Sequence, residues 1–415
     1  MLAGLLSFVV LSVAAAVAAK PVVIRKSPVT LPIARRINAT SAPDLLKIDQ
    51  ARAKVLKEQG LAAGKGSASL RKTAKDAIFN LPATNTAVDY TASVGVGTPP
   101  KQHNLIVDSG SSNTWIGALI EYNVTSSSVD TGEEFLVLYG SGLVFGELYT
   151  DTVTLGDLTI TKQAVGVSDL AFGFGDADGI LGIGPVGLTE GTTSGGELVP
   201  TVLDNAFSQG QISSEVVGVS FEPSTELSAT NGELTFGGTD SSKYTGEIAY
   251  VPITSTSPAS EYVGIDQSIT YGSSGTTILP LTAGITDTGT TLTLIATDAL
   301  AKYQAVTGAV ADSTTGLLKI TPDQFASLES LFFHIGENTY ELTPNAQIWP
   351  RSLNSAIGGD ADSIYLVVGD LGSNSGEGLD FIDGFTFLER FYYVWDVENS
   401  RVGLATTQYT DATTN

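Results

Sequence analysis

The chain has 415 residues, 42% of them hydrophobic and only 16% charged, with 45 glycines, two histidines and no cysteine. Its length suits two domains or lobes, and its composition excludes a disordered chain, a disulfide scaffold, a Cys-ligated metal and a cysteine nucleophile. A net charge of −23 argues against nucleic-acid binding, which needs a basic surface to replace counterions.

Residues 2–19 are almost wholly apolar and end in the small residues Ala16-Val17-Ala18-Ala19. Residues 1–19 therefore read as a secretion signal, and the protein as secreted and extracellular. An uncleaved anchor is the rival, since 18 apolar residues nearly span a bilayer and no Lys or Arg precedes them. The abundant alanine and the basic stretch that follows favour cleavage. Residues 20–77 carry 13 Lys and Arg against 4 Asp and Glu, a net of +9, whereas residues 78–415 carry 8 against 40, a net of −32. A basic segment beside an acidic body is attracted to it at neutral pH and let go as carboxylates protonate. Residues 20–77 are accordingly expected to be an inhibitory pro-segment, a solvated linker being the plainer alternative. Its run 44–59 has a helical pattern. Two glycosylation sequons stand at Asn38 and Asn123, the latter in a Ser/Thr-rich stretch that reads as an exposed loop.

The body consists of short β-rich runs cut by Gly, Pro, Asn and Asp, for example 90–97, 104–107, 152–155, 233–237 and 364–369. Helical signals are few: 198–209, 297–306 and 321–332. The class is mainly β.

Within it, Leu105-Ile106-Val107-Asp108-Ser109-Gly110-Ser111-Ser112 is echoed 179 residues later by Gly284-Ile285-Thr286-Asp287-Thr288-Gly289-Thr290-Thr291. Each copy is an apolar strand, an Asp, a hydroxyl residue, a Gly and two more hydroxyl residues. Each half also has a later apolar–Gly element, Ile180-Leu181-Gly182 and Phe381-Ile382-Asp383-Gly384. A carboxylate at a strand end, followed by Gly, permits close approach of substrate, and flanking hydroxyls can hold the carboxyl plane. One such turn alone would be an ordinary Asx turn. Two copies in matching contexts point to two similar lobes, each offering one Asp.

These motifs, with Val94-Gly95-Val96-Gly97-Thr98-Pro99, Tyr139-Gly140-Ser141-Gly142 and the C-terminal stretch 387–404, resemble the pepsin-like aspartic endopeptidases over residues 78–415. The resemblance implies a bilobal β fold, with an N-terminal lobe over 78–242, a C-terminal lobe over 243–415 and a substrate cleft between. It implies Asp108 and Asp287 as the catalytic pair and Ser111 and Thr290 as donors to their outer oxygens. Tyr139 on the flap with Gly140 and Ser141, Trp115 as its support, and Gly110, Gly289 and Thr291 against the substrate backbone complete the implied site. No metal or cofactor is called for. The substrate would be an extended protein or peptide chain, pepstatin-type inhibitors would bind, and the protein would be a monomer made as a zymogen. The first motif has Ser109 where Thr is commoner, Asp383 replaces an apolar residue, and no lysine of the pro-segment is identifiable as the partner of the two aspartates.

Paired carboxylates also serve glycosidases, but the chain has only three tryptophans to offer a sugar. A pepsin-like binding protein without activity is a third reading, opposed by the retention of both aspartates, both hydroxyl partners and Tyr139.

Overall fold

The computed structural model describes residues 27–37, 45–63 and 88–415 except Ser141. The signal, the Asn38 sequon and the boundary near residue 77 lie outside the described residues. Among the described residues strands dominate, in three sheets of thirteen, seven and three. The thirteen-stranded sheet holds the N-terminal half and continues into a set of strands shared by both halves; the seven-stranded sheet holds the C-terminal half. Two β-rich lobes result.

The local logic is alternation. In β3 (Lys101–Asp108) the side chains of His103, Leu105 and Val107 are buried, and Ile106 faces a second apolar cluster on the other side. Burial on both faces suits a strand that runs into the centre of a lobe. β3 pairs in parallel with Gly179–Gly182, matching Val107 to Leu181. In the other lobe Thr276–Thr286 pairs in parallel with Phe381–Asp383, matching Thr286 to Asp383. The echo seen in the sequence is thus a repeated strand arrangement, with each Asp where its strand ends.

The basic segment supplies two elements. β1 (Val29–Ile37) inserts between β2 (Val88–Val96) and Ser228–Phe236, antiparallel to both, and buries Leu31, Ile33 and Arg35. α1 (Leu45–Ala63) buries Leu45, Ile48, Asp49, Ala53, Leu56 and Gly60. That three-and-four spacing marks one helix face, while Lys54 and Glu58 on the far side are exposed.

Three expected elements differ. The helix over 198–209 starts only at Val202, because Pro200 precedes it and Thr201 and Asp204 form a reciprocal capping box. The helix over 321–332 ends at Ala326: Leu331, Phe333 and Ile335 alternate inward and form the strand Leu331–Ile335 instead. The run 364–369 is two strands, Ile364–Tyr365 and Val368–Asp370, in different sheets.

Candidate active site

Asp108 and Asp287 sit at the strand ends, fully buried, beneath a cleft between the lobes. Their surroundings match bond for bond. Ser111 Oγ donates to Asp108 Oδ2 at 2.5 Å and Thr290 Oγ1 to Asp287 Oδ2 at 2.5 Å. The Gly110 amide donates to Asp108 Oδ1 at 2.9 Å and the Gly289 amide to Asp287 Oδ1 at 3.0 Å. The glycines are required by the approach of the two turns: a Cβ on Gly110 would lie 2.8 Å from Asp287 Oδ1, and one on Gly289 2.6 Å from Asp108 Oδ1. Below the carboxylates, Ser109 and Thr288 lock the turns together, each side-chain oxygen accepting from the other residue's amide at 2.9 and 3.0 Å. Ser109 therefore keeps the one group that this position uses, a hydroxyl.

Strands Val129–Leu138 and Leu143–Leu155 form a hairpin closed at its tip by hydrogen bonds between Tyr139 and Gly142. Tyr139 accepts a 2.9 Å hydrogen bond from Trp115 Nε1 and meets Phe174 edge to face at 5.3 Å. Phe174 and Ile180 belong to the apolar cluster behind the flap and Leu292 to the main core, so all three are packing residues in this state. Gly140 lies at the tip, Ser141 is outside the described residues, and Thr291 is buried beside the Asp287 turn. Asn123 is exposed, its amide making only a 3.4 Å contact with the Glu121 carbonyl.

Among the described residues no lysine faces the two aspartates; an arginine of α1 does. Arg52 Nη2 lies 2.5 Å from Asp108 Oδ1 and 3.0 Å from Asp287 Oδ1, and Arg52 Nε is 2.7 Å from Asp287 Oδ2. One planar guanidinium thus spans both carboxylates, a fork geometry that an ammonium cannot supply. Burial pushes the Asp287 carboxyl up, but the charge and hydrogen bonds of Arg52, together with the hydrogen bonds from Thr290 and Gly289, outweigh it and hold Asp287 below its ordinary value. Asp108 has a single bond to Arg52, and there burial and the Asp287 charge leave its pKa raised.

Sequence reasoning sought a lysine and passed over Arg52; its place within the helical run 44–59 was the available signal. Asp49 was also missed. Its carboxylate accepts from the amides of Leu292, at 2.7 Å, and Thr291, at 3.4 Å. Further along α1, Lys57 pairs with Glu377 and Ser373, Gln59 Nε2 donates to the Leu138 carbonyl on the flap, and Tyr262 donates to the Leu56 carbonyl. A cavity remains beside the helix, lined by Val55, Leu136, Leu138, Leu188 and Thr192. Among the described residues no acidic or histidine cluster could hold a metal ion, and no helix is long and apolar enough to cross a membrane.

With this geometry the comparisons agree. The family described as "Eukaryotic aspartyl protease" matches residues 89–407. The chain belongs to the eukaryotic aspartyl proteases. It is 64% identical over 338 residues to polyporopepsin of Irpex lacteus, covering 81% of this chain and 99% of that protein. Rhizopuspepsin-1 of Rhizopus niveus is 33% identical, covering 77% of this chain and 79% of the relative. The crystal structure of the aspartic proteinase from Irpex lacteus superposes with a TM-score of 0.78 over 81% of this chain and 99% of that one. The fold is the bilobal pepsin-like one, and the protein is an aspartic endopeptidase.

Proposed function

We propose that the protein is a secreted, monomeric, acid-active endopeptidase made as a precursor, and that residues 20–77 inhibit it by laying α1 across the cleft with Arg52 on the catalytic pair. The observation that carries this reading is the Arg52 guanidinium bridging Asp108 and Asp287 beneath the flap. The 81% of the chain that answers to 99% of polyporopepsin leaves about a fifth unmatched, in keeping with a mature enzyme over residues 78–415.

In the uncovered enzyme the two carboxylates share one proton. At ~3 Å and an effective dielectric of ~20 their repulsion is on the order of 5 kcal/mol, or roughly 4 pKa units, so both ionise only well above the acid range. Pepsin is the standard case of such a dyad. The ionised member takes a proton from a water held between them, the water attacks the peptide carbonyl, and the protonated member donates to the carbonyl oxygen. The proton belongs to the pair rather than to either residue. Ser111 and Thr290 hold the outer oxygens, Gly110, Gly289 and Thr291 give the substrate backbone room and partners, and Tyr139, Gly140 and Ser141 close over an extended peptide with Trp115 behind. The same cleft would accept pepstatin-type inhibitors. Asn123 is positioned for glycosylation.

Release is driven by acid, through opposed contributions. Asp287 is depressed in the docked state, so its attraction to Arg52 is present above the ordinary carboxylate range and lost as pH falls through the lowered value. Asp49 acts the other way: burial pushes it up to about 7, so between pH 4 and 7 docking takes up a proton and strengthens as pH falls. The helix is therefore held until the pH drops below about 4. β1 is a second anchor, its Arg35 buried against the Ser224 carbonyl.

The test is the purified precursor with a chromogenic peptide at pH 7 and pH 3.5. Activity and cleavage near residues 73–80 are expected at pH 3.5 only. Arg52→Ala loses charge-assisted bonds worth about 1.5–3 kcal/mol each, so the uncleaved precursor should gain roughly 100-fold in activity at pH 5. Full activity of the uncleaved wild-type precursor at both pH values would reject the reading.

A further inference from the structure

The strongest unexplained group in the C-terminal lobe is Asp383. It occupies, in the second apolar–Gly element, the place that Leu181 holds in the first: Val107 pairs with Leu181, and Thr286 with Asp383. Like Leu181 it is wholly buried. Among the described residues no lysine or arginine forms an ion pair with it. The strands packed against it bring Thr286 and Thr293, both hydrogen-bonded elsewhere, and one polar side chain that reaches it, Gln267. Asp287 is the next titratable group along the ladder, and its contact is through the backbone, its amide donating to the Asp383 carbonyl at 3.1 Å. The neighbouring Asp380 is bound by Thr282 and two backbone amides, and Asp266 by Thr254.

Gln267 is also fully buried, and its Nε2 donates to Asp383 Oδ1 at 3.1 Å. The other oxygen of each side chain, Asp383 Oδ2 and Gln267 Oε1, has no hydrogen-bond partner. Two unpartnered acceptors with one hydrogen bond between the groups would leave a half-satisfied carboxylate in an apolar interior, an arrangement proteins avoid. A carboxylic acid removes both vacancies. It has one donor and one acceptor side by side, matching the donor and acceptor of a primary amide.

We propose that Asp383 is carried as the neutral acid, paired reciprocally with Gln267, and that this proton-dependent pair supports the strand that positions Asp287. Burial pushes the Asp383 carboxyl up to about 8, the Gln267 bond only partly opposing it. An unfolded chain gives up this proton near pH 4. Folding therefore holds one proton more than the unfolded chain between about pH 4 and pH 8. The resulting stability is complete below pH 4 and falls as pH rises through the window. Neutral pH then works against the lobe that carries Asp287, quite apart from the titration of the dyad. Asp383 is a positioning residue, touching neither substrate nor the reacting atoms.

The pH-linked stability does not depend on the proposed roles of the dyad; the kinetic consequence rests on Asp287 being catalytic. The experiment uses the full chain carrying Asp108→Asn, which prevents self-digestion without touching Asp383. Urea unfolding is measured from pH 4 to pH 8 with and without Asp383→Asn. Loss of one linked proton should flatten the pH dependence of the unfolding constant by about tenfold per pH unit. The double change Asp383→Leu with Gln267→Leu, which imitates the first lobe, should do the same and covers the case in which a lone Asn at 383 does not fold. Infrared difference spectra at pH 6 should show a protonated carboxyl that vanishes in Asp383→Asn. In the otherwise unmodified enzyme, Asp383→Asn should leave turnover at pH 3.5 within about twofold and raise the pH at which activity is irreversibly lost. Equal pH slopes in parent and variants, or an unchanged carboxyl signal, would overturn the proposal. If the slopes change as expected but the pH of activity loss does not, the pair stands as a stability device and its link to Asp287 falls.

Discussion

The two turns that carry Asp108 and Asp287 are nearly the same object made twice. Each carboxylate takes a hydroxyl on its outer oxygen at 2.5 Å and a glycine amide on its inner oxygen. Yet they are electrostatically unlike: Asp287 is held below its ordinary value and Asp108 above it. The difference comes from outside the turns. In front, Arg52 gives Asp287 two hydrogen-bonding nitrogens and Asp108 one. Local sequence thus builds two equivalent carboxylates, and tertiary contacts make them inequivalent.

The sharpest way to break the equivalence is to remove one carboxylate at a time. Asp108→Asn and Asp287→Asn should each lower kcat/KM by at least about 10⁴, with the double change adding little, since the two act as a unit. Appreciable turnover by either single variant at its own pH optimum would show that one carboxylate suffices. The hairpin that carries Tyr139, proposed above to close over substrate, belongs to the N-terminal half alone, so Tyr139→Ala tests what is one-sided. Turnover should drop roughly 100-fold, by misplacement of substrate, while the melting temperature changes little; unaltered kinetics would make this an ordinary hairpin. Ser111→Ala and Thr290→Ala compare the outer hydroxyls directly. Each loses a hydrogen bond to a charged group, and about tenfold in kcat/KM is expected from both. A loss confined to one variant would mean that the matching bonds do unequal work. The smallest effect concerns the covering helix. Asp49→Asn removes the ionisation that opposes docking at neutral pH, so residual precursor activity at pH 7 should fall, by up to about tenfold, with activation at pH 3.5 unchanged. A rise in activity at pH 7 would reverse the sign assigned to Asp49.

Much of the site was legible because it is written in contiguous residues. An Asp, a hydroxyl, a glycine and further hydroxyls at fixed offsets make their own hydrogen bonds within one turn, and repetition 179 residues later makes chance a poor explanation. Tyr139 and Trp115, 24 residues apart, were readable only through family resemblance, since nothing in their spacing brings the indole to the phenol. The helix end at Ala326 and the strand at Leu331–Ile335 were misread because five apolar and polar residues fit both periods, and pairing with distant strands decided between them.

By itself the sequence determined the fold class, the duplicated turn, the two carboxylates and a basic segment set against an acidic body. Each follows from composition or from residues close enough in the chain to interact as a unit. Only the tertiary structure decided that Arg52 caps the pair, that Asp49 is buried against the amides of residues 291 and 292, and that Asp383 faces Gln267 with one oxygen of each unmatched. These depend on partners 56 to 243 positions away. Whether a buried charge is kept, paired or neutralised is set by the groups that enclose it, and no local pattern encodes them.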